Sequence, residues 1–233
     1  MKTLLIIPAY NEEQNIGNVL DNIRQIHPAV DIVVIDDGSL DATLTVAKTK
    51  GVTVLTLPFN LGIGAAMQTG YHYAKVNGYD IAVQFDGDGQ HRADQLEALL
   101  KPIECGEADI TIGSRFLSKG VYETEVARYM AIRILSRIIS FLVRQKITDP
   151  TSGFRAVNRK VVHFFCDYYP DDYPEPESLV LLHKAGLRIV EVPVLMEKRL
   201  IGTSSITLFR GVYYMVKVIL AVLIDMMKEV PRR

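Results

Sequence analysis

The sequence predicts an α/β fold, a mostly parallel sheet flanked by helices, from three observations. Short runs rich in Ile, Val and Leu recur at 3–10, 31–36, 52–57, 80–86 and 108–113. They are continuous rather than alternating in polarity, as in strands covered on both faces. Between them lie segments of helical apolar spacing, long enough for the crossovers that parallel strands require.

The elements follow in order. TLLIIPAY (3–10) is a buried strand, and Ile16, Val19, Leu20, Ile23 and Ile26 give residues 12–26 a helical stripe. DIVVID (31–36) is the second strand, and Ser39 is a plausible cap for a helix over 41–50. VTVLTL (52–57) precedes a helix over 62–76, DIAVQFD (80–86) a helix over 93–104, and ADITIG (108–113) closes the alternation. Beyond about residue 114 the rhythm changes. A long helix over 124–144 is followed by a loop at 148–154, a short helix near 158–166 and a turn-rich stretch at 168–177. Then come a helix at 177–185, a strand at 187–199 interrupted by Pro193, and a last helix over about 206–229.

With 233 residues, 48% hydrophobic and 23% charged, the chain can bury a substantial core, which excludes disordered and collagen-like classes. Cys105 and Cys166 are too few for a disulfide framework and lack metal-ligand spacing, so a reducing compartment is expected. The N-terminal run, with one lysine and then Pro8, does not read as a signal peptide. No apolar stretch reaches the roughly 18 residues of a membrane-spanning helix. The net charge of −1 conceals an asymmetry. Residues 1–115 hold 15 acids against 8 bases and residues 116–233 hold 12 against 18, so an acidic front meets a basic back.

In parallel sheets, ligands bind beyond the carboxyl ends of the strands. Small and acidic residues gather there: Pro8-Ala9-Tyr10-Asn11-Glu12, Asp36-Asp37-Gly38-Ser39, Asn60 with Gly62 and Gly64, Asp86-Gly87-Asp88-Gly89-Gln90-His91, and Gly113-Ser114-Arg115. Asp86 and Asp88, two residues apart with glycines between and after, can turn toward one point. Their mutual repulsion is relieved by a hard divalent cation such as Mg²⁺ or Mn²⁺, which completes its shell with water and substrate phosphates. A di- or triphosphate substrate is implied. Such spacing also occurs in ordinary surface loops, and Asp36-Asp37-Gly38-Ser39 equally fits a tight turn with a helix cap. Neither a G-x-G-x-x-G after the first strand nor a Walker A spacing is present.

The segments IPAYNEE, IDDGSLDAT, FNLGIGAAMQTG, FDGDGQH, GSRF, TDPTSGFRA and KRLIGTSSI occur in the order and spacing of family 2 glycosyltransferases of the Rossmann-like GT-A fold. The chain resembles most the dolichyl- and polyprenyl-phosphate sugar transferases within that family. The resemblance implies that Pro8, Tyr10, Asn11, Glu12, Asp37, Asn60, Gly64 and Gly87 bind the nucleotide-sugar, with Asp86, Asp88 and Gln90 at the metal. Arg115 and Arg199 would act beside the two aspartates on donor or acceptor phosphate. Arg128, Arg133, Ser152, Glu175, Glu177 and Ser205 would face the acceptor. Ser204-Ser205 stands where many mannose synthases carry Ser-Lys, and YPEPESL (173–179) also departs from the usual pattern, which bears on sugar and acceptor more than on fold. Residues 1–205 would form the catalytic domain, with a nucleotide-sugar half at 1–115 and an acceptor half at 116–205; 206–233 would be a C-terminal amphipathic helix.

Two stretches suit a membrane surface. Val126–Arg144 has four arginines and no acid, and at 100° per residue Arg133, Arg137 and Arg144 fall within about 40° of one another. Ser136 and Ser140 share that side, opposite Met130, Ile134, Leu135, Ile138, Ile139, Phe141 and Leu142, while Arg128 falls amid the apolar residues and is expected near the site. In the last helix Arg210, Lys217 and Lys228 align opposite Leu208, Phe209, Val216, Ile219, Leu223 and Met227. Each fits an interfacial helix with its cations near anionic head groups, and each equally fits an ordinary amphipathic helix packed on a sheet.

The expected activity is inverting transfer of a sugar from a nucleoside diphosphate donor, UDP-linked as the resemblance implies, to a polyprenyl phosphate at the cytoplasmic face of the cell membrane. Partners would be that surface or a small membrane protein, with self-association as another use of the helices; no nucleic acid is expected. The main rival is a transferase elongating a saccharide on a hydroxyl, which needs a base, for which Asp149, Glu175 and Glu177 are candidates. A non-catalytic membrane-complex partner is a further rival. A nucleotidyltransferase would need a basic glycine-rich loop after the first strand, where this chain is acidic.

Overall fold

The computed structural model describes residues 1–117, 126–197 and 208–232. Its centre is one seven-stranded sheet in the order β3-β2-β1-β4-β6-β5-β7. The strands are β1 (Thr3–Ala9), β2 (Asp31–Asp36), β3 (Thr53–Thr56), β4 (Ile81–Gln84), β5 (Ile110–Ser114), β6 (Arg155–Asn158) and β7 (Ile189–Pro193). All neighbours pair in parallel except β6, which lies between β4 and β5 and runs against both. The sequence pattern assigns no element to 155–157. Arg-Ala-Val-Asn is four residues long and half polar, so its strand character comes from its two neighbours rather than from its own pattern.

Both faces are covered, which explains the unbroken apolar runs. On β1, Leu4 and Ile6 point into one core with α3 (Ile63–Val76), α5 (Val126–Leu142), α6 (Arg159–Tyr168), α7 (Pro174–Lys184) and α8 (Leu208–Met227). Leu5 and Ile7 point into the other, with α1 (Ile16–Ile26) and α4 (Leu96–Glu104), while α2 (Thr43–Thr49) adds Ala47. All four β1 side chains are fully buried.

Several boundaries differ from expectation for local reasons. α7 starts at Pro174, inside the stretch expected to be turns, because proline's fixed φ suits the first helical position. β7 stops at Pro193, short of the end at 199 that the apolar pattern predicts. Ser39 does not cap α2; its hydroxyl accepts from the Asn11 amide, and Asp41 instead accepts the Thr43 amide at 2.9 Å. Among the described residues no helix is long and apolar enough to cross a membrane.

α5 and α8 pack by a narrow face, α8 against α7 and α5, and α5 against α7 and α8. Ile132, Leu135 and Ile139 of α5 and Val218, Val222 and Asp225 of α8 are buried. Met130, Ile134 and Phe141 of α5 and Val216, Leu220, Leu223 and Met227 of α8 are exposed. The apolar side read from the sequence is thus split in α5, since Leu135 and Ile139 serve the core while their neighbours face outward.

Candidate active site

Parallel pairing brings the carboxyl ends of β1, β2 and β4 to one edge. Ala9 is in register with Asp36, and Ile6 with Gln84. The loops leaving that edge are tied together. Glu12 donates its amide to Thr43 Oγ1 at 2.7 Å, and Glu13 Oε2 accepts the Ala42 amide at 2.9 Å, so the loop after β1 is fastened to the segment after β2. Asp37 turns its carboxylate onto the backbone amides of Leu61 and Gly62, at 2.8 and 2.9 Å, and so holds the loop that enters α3.

These loops enclose a cleft of about 290 Å³. Pro8, Tyr10, Glu12, Asp37, Asn60, Asp86, Gly87 and Asp88 line it, together with Glu175 from α7. Nine of the residues singled out from the sequence therefore meet in one place. Ala9, Gly62, Ile63, Ala66 and Gln84 line it as well. Gln84 is the informative addition. A glutamine ending the apolar run of β4 was the available signal, and it is almost fully buried with Nε2 3.3 Å from Asp86 Oδ1.

Asp86 is held from several sides. Its backbone amide donates to His91 Nδ1 at 2.9 Å, so that nitrogen carries no proton, and His91 Nε2 lies 3.4 Å from Asp86 Oδ2. The imidazole is stacked on Phe154 and meets Phe85 edge-on. Burial, reinforced by the Arg115 charge and opposed by that of Asp88, lowers its pKa to about 4, so His91 is a neutral clamp at physiological pH. Gly153 backs the same carboxylate: a Cβ there would lie 2.7 Å from Gln84 Nε2 and 3.2 Å from Asp86 Oδ2. Asp88 Oδ1 accepts the Gln90 amide at 3.0 Å, which shapes the turn between them.

Two carboxylates on one cleft are a donor set that suits Mg²⁺ or Mn²⁺. No cluster of three or more metal-binding side chains exists among the described residues, so water and a pyrophosphate would complete the shell. Glu175 is half-buried beside them; burial pushes its carboxyl up and the Arg155 guanidinium draws it back.

Other residues named from the sequence lie elsewhere. Gln90 and Asn11 do not line the cleft; Asn11 Oδ1 accepts the Leu40 amide at 2.9 Å instead. Gly64 is a packing residue, since a Cβ there would stand 2.2 Å from the Asp171 carbonyl oxygen. Arg115 is engaged in a buried two-pronged pair with Asp149, Nε to Oδ2 at 2.6 Å and Nη2 to Oδ1 at 2.7 Å. Ser152 donates to the Gly113 carbonyl at 2.6 Å in the interior. Arg128 and Arg133 are exposed on α5, away from the cleft lining. Glu177 faces Asp225 in the α7–α8 seam rather than the cleft. Arg199 and Ser205 lie outside the described residues.

The profile of "Glycosyl transferase family 2" matches residues 4–165, which is more than half of the chain. The chain belongs to this family. Among its relatives, polyprenol monophosphomannose synthase of Mycolicibacterium smegmatis is 32% identical over 216 residues, 88% of this chain and 81% of that protein. UDP-N-acetylglucosamine–dolichyl-phosphate N-acetylglucosaminyltransferase of Methanococcus voltae is 32% identical over 210 residues, 82% and 83% of the two chains. Undecaprenyl-phosphate mannosyltransferase of Micrococcus luteus is 31% identical over 222 residues, 89% and 88%. Among solved structures, glucosyl-3-phosphoglycerate synthase of Mycobacterium tuberculosis, in complex with Mn²⁺, UDP-glucose and phosphoglyceric acid, superposes with a TM-score of 0.74 at 20% identity, over 98% of this chain and 80% of that one. That likeness establishes the GT-A fold of this family 2 glycosyltransferase.

Proposed function

We propose that this family 2 glycosyltransferase moves one sugar, with inversion, from a nucleoside diphosphate donor to a polyprenyl phosphate at a membrane surface. The observation that carries the reading is the meeting of Asp86 and Asp88 with the Pro8–Glu12 loop and Asp37 around one cleft. The names of relatives, which act on polyprenol, dolichyl and undecaprenyl phosphates, support the acceptor class.

Asp86 and Asp88 would hold Mg²⁺ or Mn²⁺, which when bound supplies positive charge to the departing diphosphate. Pro8, Tyr10, Glu12, Asp37 and Asn60 would seat the nucleoside. The acceptor's phosphate is ionised near neutral pH, so its oxygen attacks the anomeric carbon without a general base. A hydroxyl acceptor would need one. Of the three carboxylates suited to that role, Asp149 is engaged by Arg115, Glu177 faces Asp225, and Glu175 alone lines the cleft. Arg199 and Ser205 would receive the acceptor's phosphate, as the resemblance implies.

The exposed apolar residues of α5 and α8, flanked by exposed Arg133, Arg137 and Lys217, support docking on the anionic cytoplasmic leaflet. The decisive experiment offers radiolabelled UDP- and GDP-sugars with polyprenyl phosphate and Mn²⁺. Label entering a chloroform-soluble phospholipid is expected. Label confined to an oligosaccharide would overturn the acceptor assignment.

A further inference from the structure

Glu175 is the one residue of the cleft contributed by α7, and its surroundings distinguish it from Asp86 and Asp88. Among the described residues, no ion pair holds its carboxylate, and the neighbouring cleft donor Gln84 bonds Asp86 Oδ1 at 3.3 Å. An ionised carboxylate offers about four acceptor sites, so most of its capacity is unused by the protein. Behind it stands Arg155, 3% exposed, which donates to the Ser152 carbonyl at 2.7 Å, the Pro150 carbonyl at 3.1 Å and Ser178 Oγ at 2.8 Å. All three partners are neutral. Among the described residues the guanidinium makes no ion pair, and it attracts Glu175 from a position outside the cleft lining.

The chemistry of the ligand follows from charge. Asp86 and Asp88 already place two anions on this cleft, and a third carboxylate there repels a phosphate. It suits a neutral donor such as a hydroxyl. The position follows from the cleft lining, which Glu175 shares with Asp86, Asp88 and Gln84, and Gln84 Nε2 lies 3.3 Å from Asp86 Oδ1. Glu175 thus stands in the same cleft as a carboxylate assigned to the cation on the donor's diphosphate. In a nucleotide sugar, the group attached to that diphosphate is the hexose ring.

We infer that Glu175 is the donor-specificity residue of this enzyme: it accepts hydrogen bonds from hydroxyls of the donor's sugar ring rather than serving the acceptor phosphate. The inference rests on the nucleotide-sugar reading above. It also reassigns Glu175, which the resemblance had placed on the acceptor side.

Calorimetric titration with Mn²⁺ tests both levels separately, using UDP, GDP, UDP-glucose, UDP-N-acetylglucosamine and GDP-mannose against the wild-type chain and the isosteric Glu175→Gln variant. For the preferred nucleotide sugar, Glu175→Gln is expected to weaken binding roughly tenfold to hundredfold, the usual loss for a hydrogen bond to a charged group. Affinity for the matching bare nucleotide should stay within about twofold. Glu175→Asp, which keeps the charge on a shorter arm, should fall between. Equal weakening for bare nucleotide and nucleotide sugar would overturn the inference in favour of a structural role. Unchanged binding of both, with turnover lost, would overturn it in favour of a general base. A wild-type chain that binds no nucleotide at all would instead remove the reading on which the inference rests.

Discussion

Glu177 on α7 and Asp225 on α8 face each other inside the protein, 7% and 1% exposed, two carboxyl groups in one seam. Lys228 Nζ lies 2.5 Å from Asp225 Oδ1, and Lys184 Nζ donates to the Asp225 carbonyl at 3.1 Å, so one side of the pair is neutralised. Burial, and then hydrogen bonding and charge from Asp225, push the Glu177 pKa up to about 8. Glu177 is therefore protonated at neutral pH and can donate to its partner, and it sits two residues from Glu175 in the cleft.

A stability profile follows from that shift. The folded pKa lies above the unfolded one, so the folded chain binds the extra proton between roughly pH 4.5 and 8. The contribution is complete below that window and disappears as pH rises through it. Between pH 6 and 9 the loss amounts to about 2–3 kcal/mol by linkage, or roughly 5–10 °C in Tm. Thermal unfolding across that range should show it, and Glu177→Gln, which keeps a donor toward Asp225, should flatten the profile. A wild-type Tm that does not fall with pH would remove the shared-proton account.

The Arg115–Asp149 pair makes a different prediction. Asp149 is fully buried and also receives the Arg115 backbone amide, so Asp149→Asn removes the buried charge that the guanidinium grips at two points. Breaking such a pair costs about 3–5 kcal/mol. Denaturant unfolding should register that loss, and a double replacement by apolar residues of similar volume should recover much of it.

Gly153→Ala probes the support behind Asp86. The added methyl would collide with Gln84 Nε2 at 2.7 Å. The strain is about 1–3 kcal/mol, the usual range for overpacking. Affinity for Mn²⁺ with UDP should fall by roughly 10–100-fold, as for loss of support around a metal ligand. Unaltered Mn²⁺–UDP titration in a folded variant would show that Asp86 does not depend on this contact.

Direct loss of a ligand should be more severe. Asp88→Asn is expected to abolish the Mn²⁺-dependent part of nucleotide binding while Tm moves by a few degrees at most. Chelation of the wild-type chain should reproduce the same titration, and full binding under chelation would contradict the two-carboxylate cation site.

For the membrane face, co-flotation with anionic liposomes at low salt is the measurement. Phe141 and Met227 are 82% and 85% exposed, so Phe141→Asp with Met227→Asp should leave the fold intact and reduce flotation. Raising the salt should weaken binding of the unaltered chain, because the flanking arginines and lysines act through screened charge.

The strand ends and the cleft were readable because they follow from periodicity. Continuous apolar runs fix buried parallel strands, and parallel strands bring Pro8, Asp37 and Asp86 to one edge. Partner choice among charged groups was not readable. Arg115 looks like a phosphate ligand in sequence, yet its partner is 34 positions away, and nothing local distinguishes a cation bound for solvent from one bound for Asp149. Glu175 and Glu177 differ by two positions on a helix, about 200° of rotation, which separates a cleft residue from a seam residue. β6 was hidden because four half-polar residues carry too little pattern to declare a strand.

The reversed strand β6 also governs how the polypeptide can be divided. A fragment ending at residue 117 would hold β5 with neither of its neighbours, since β6 and β7 both arrive later in the chain. It would also leave one edge of β4 bare. Expressed as two pieces cut in the 118–125 segment, the enzyme should regain its sheet only when the second piece threads its short middle strand into the gap left by the first. Attempts to graft a new C-terminal part onto residues 1–117 must therefore carry residues 147–158 across with it.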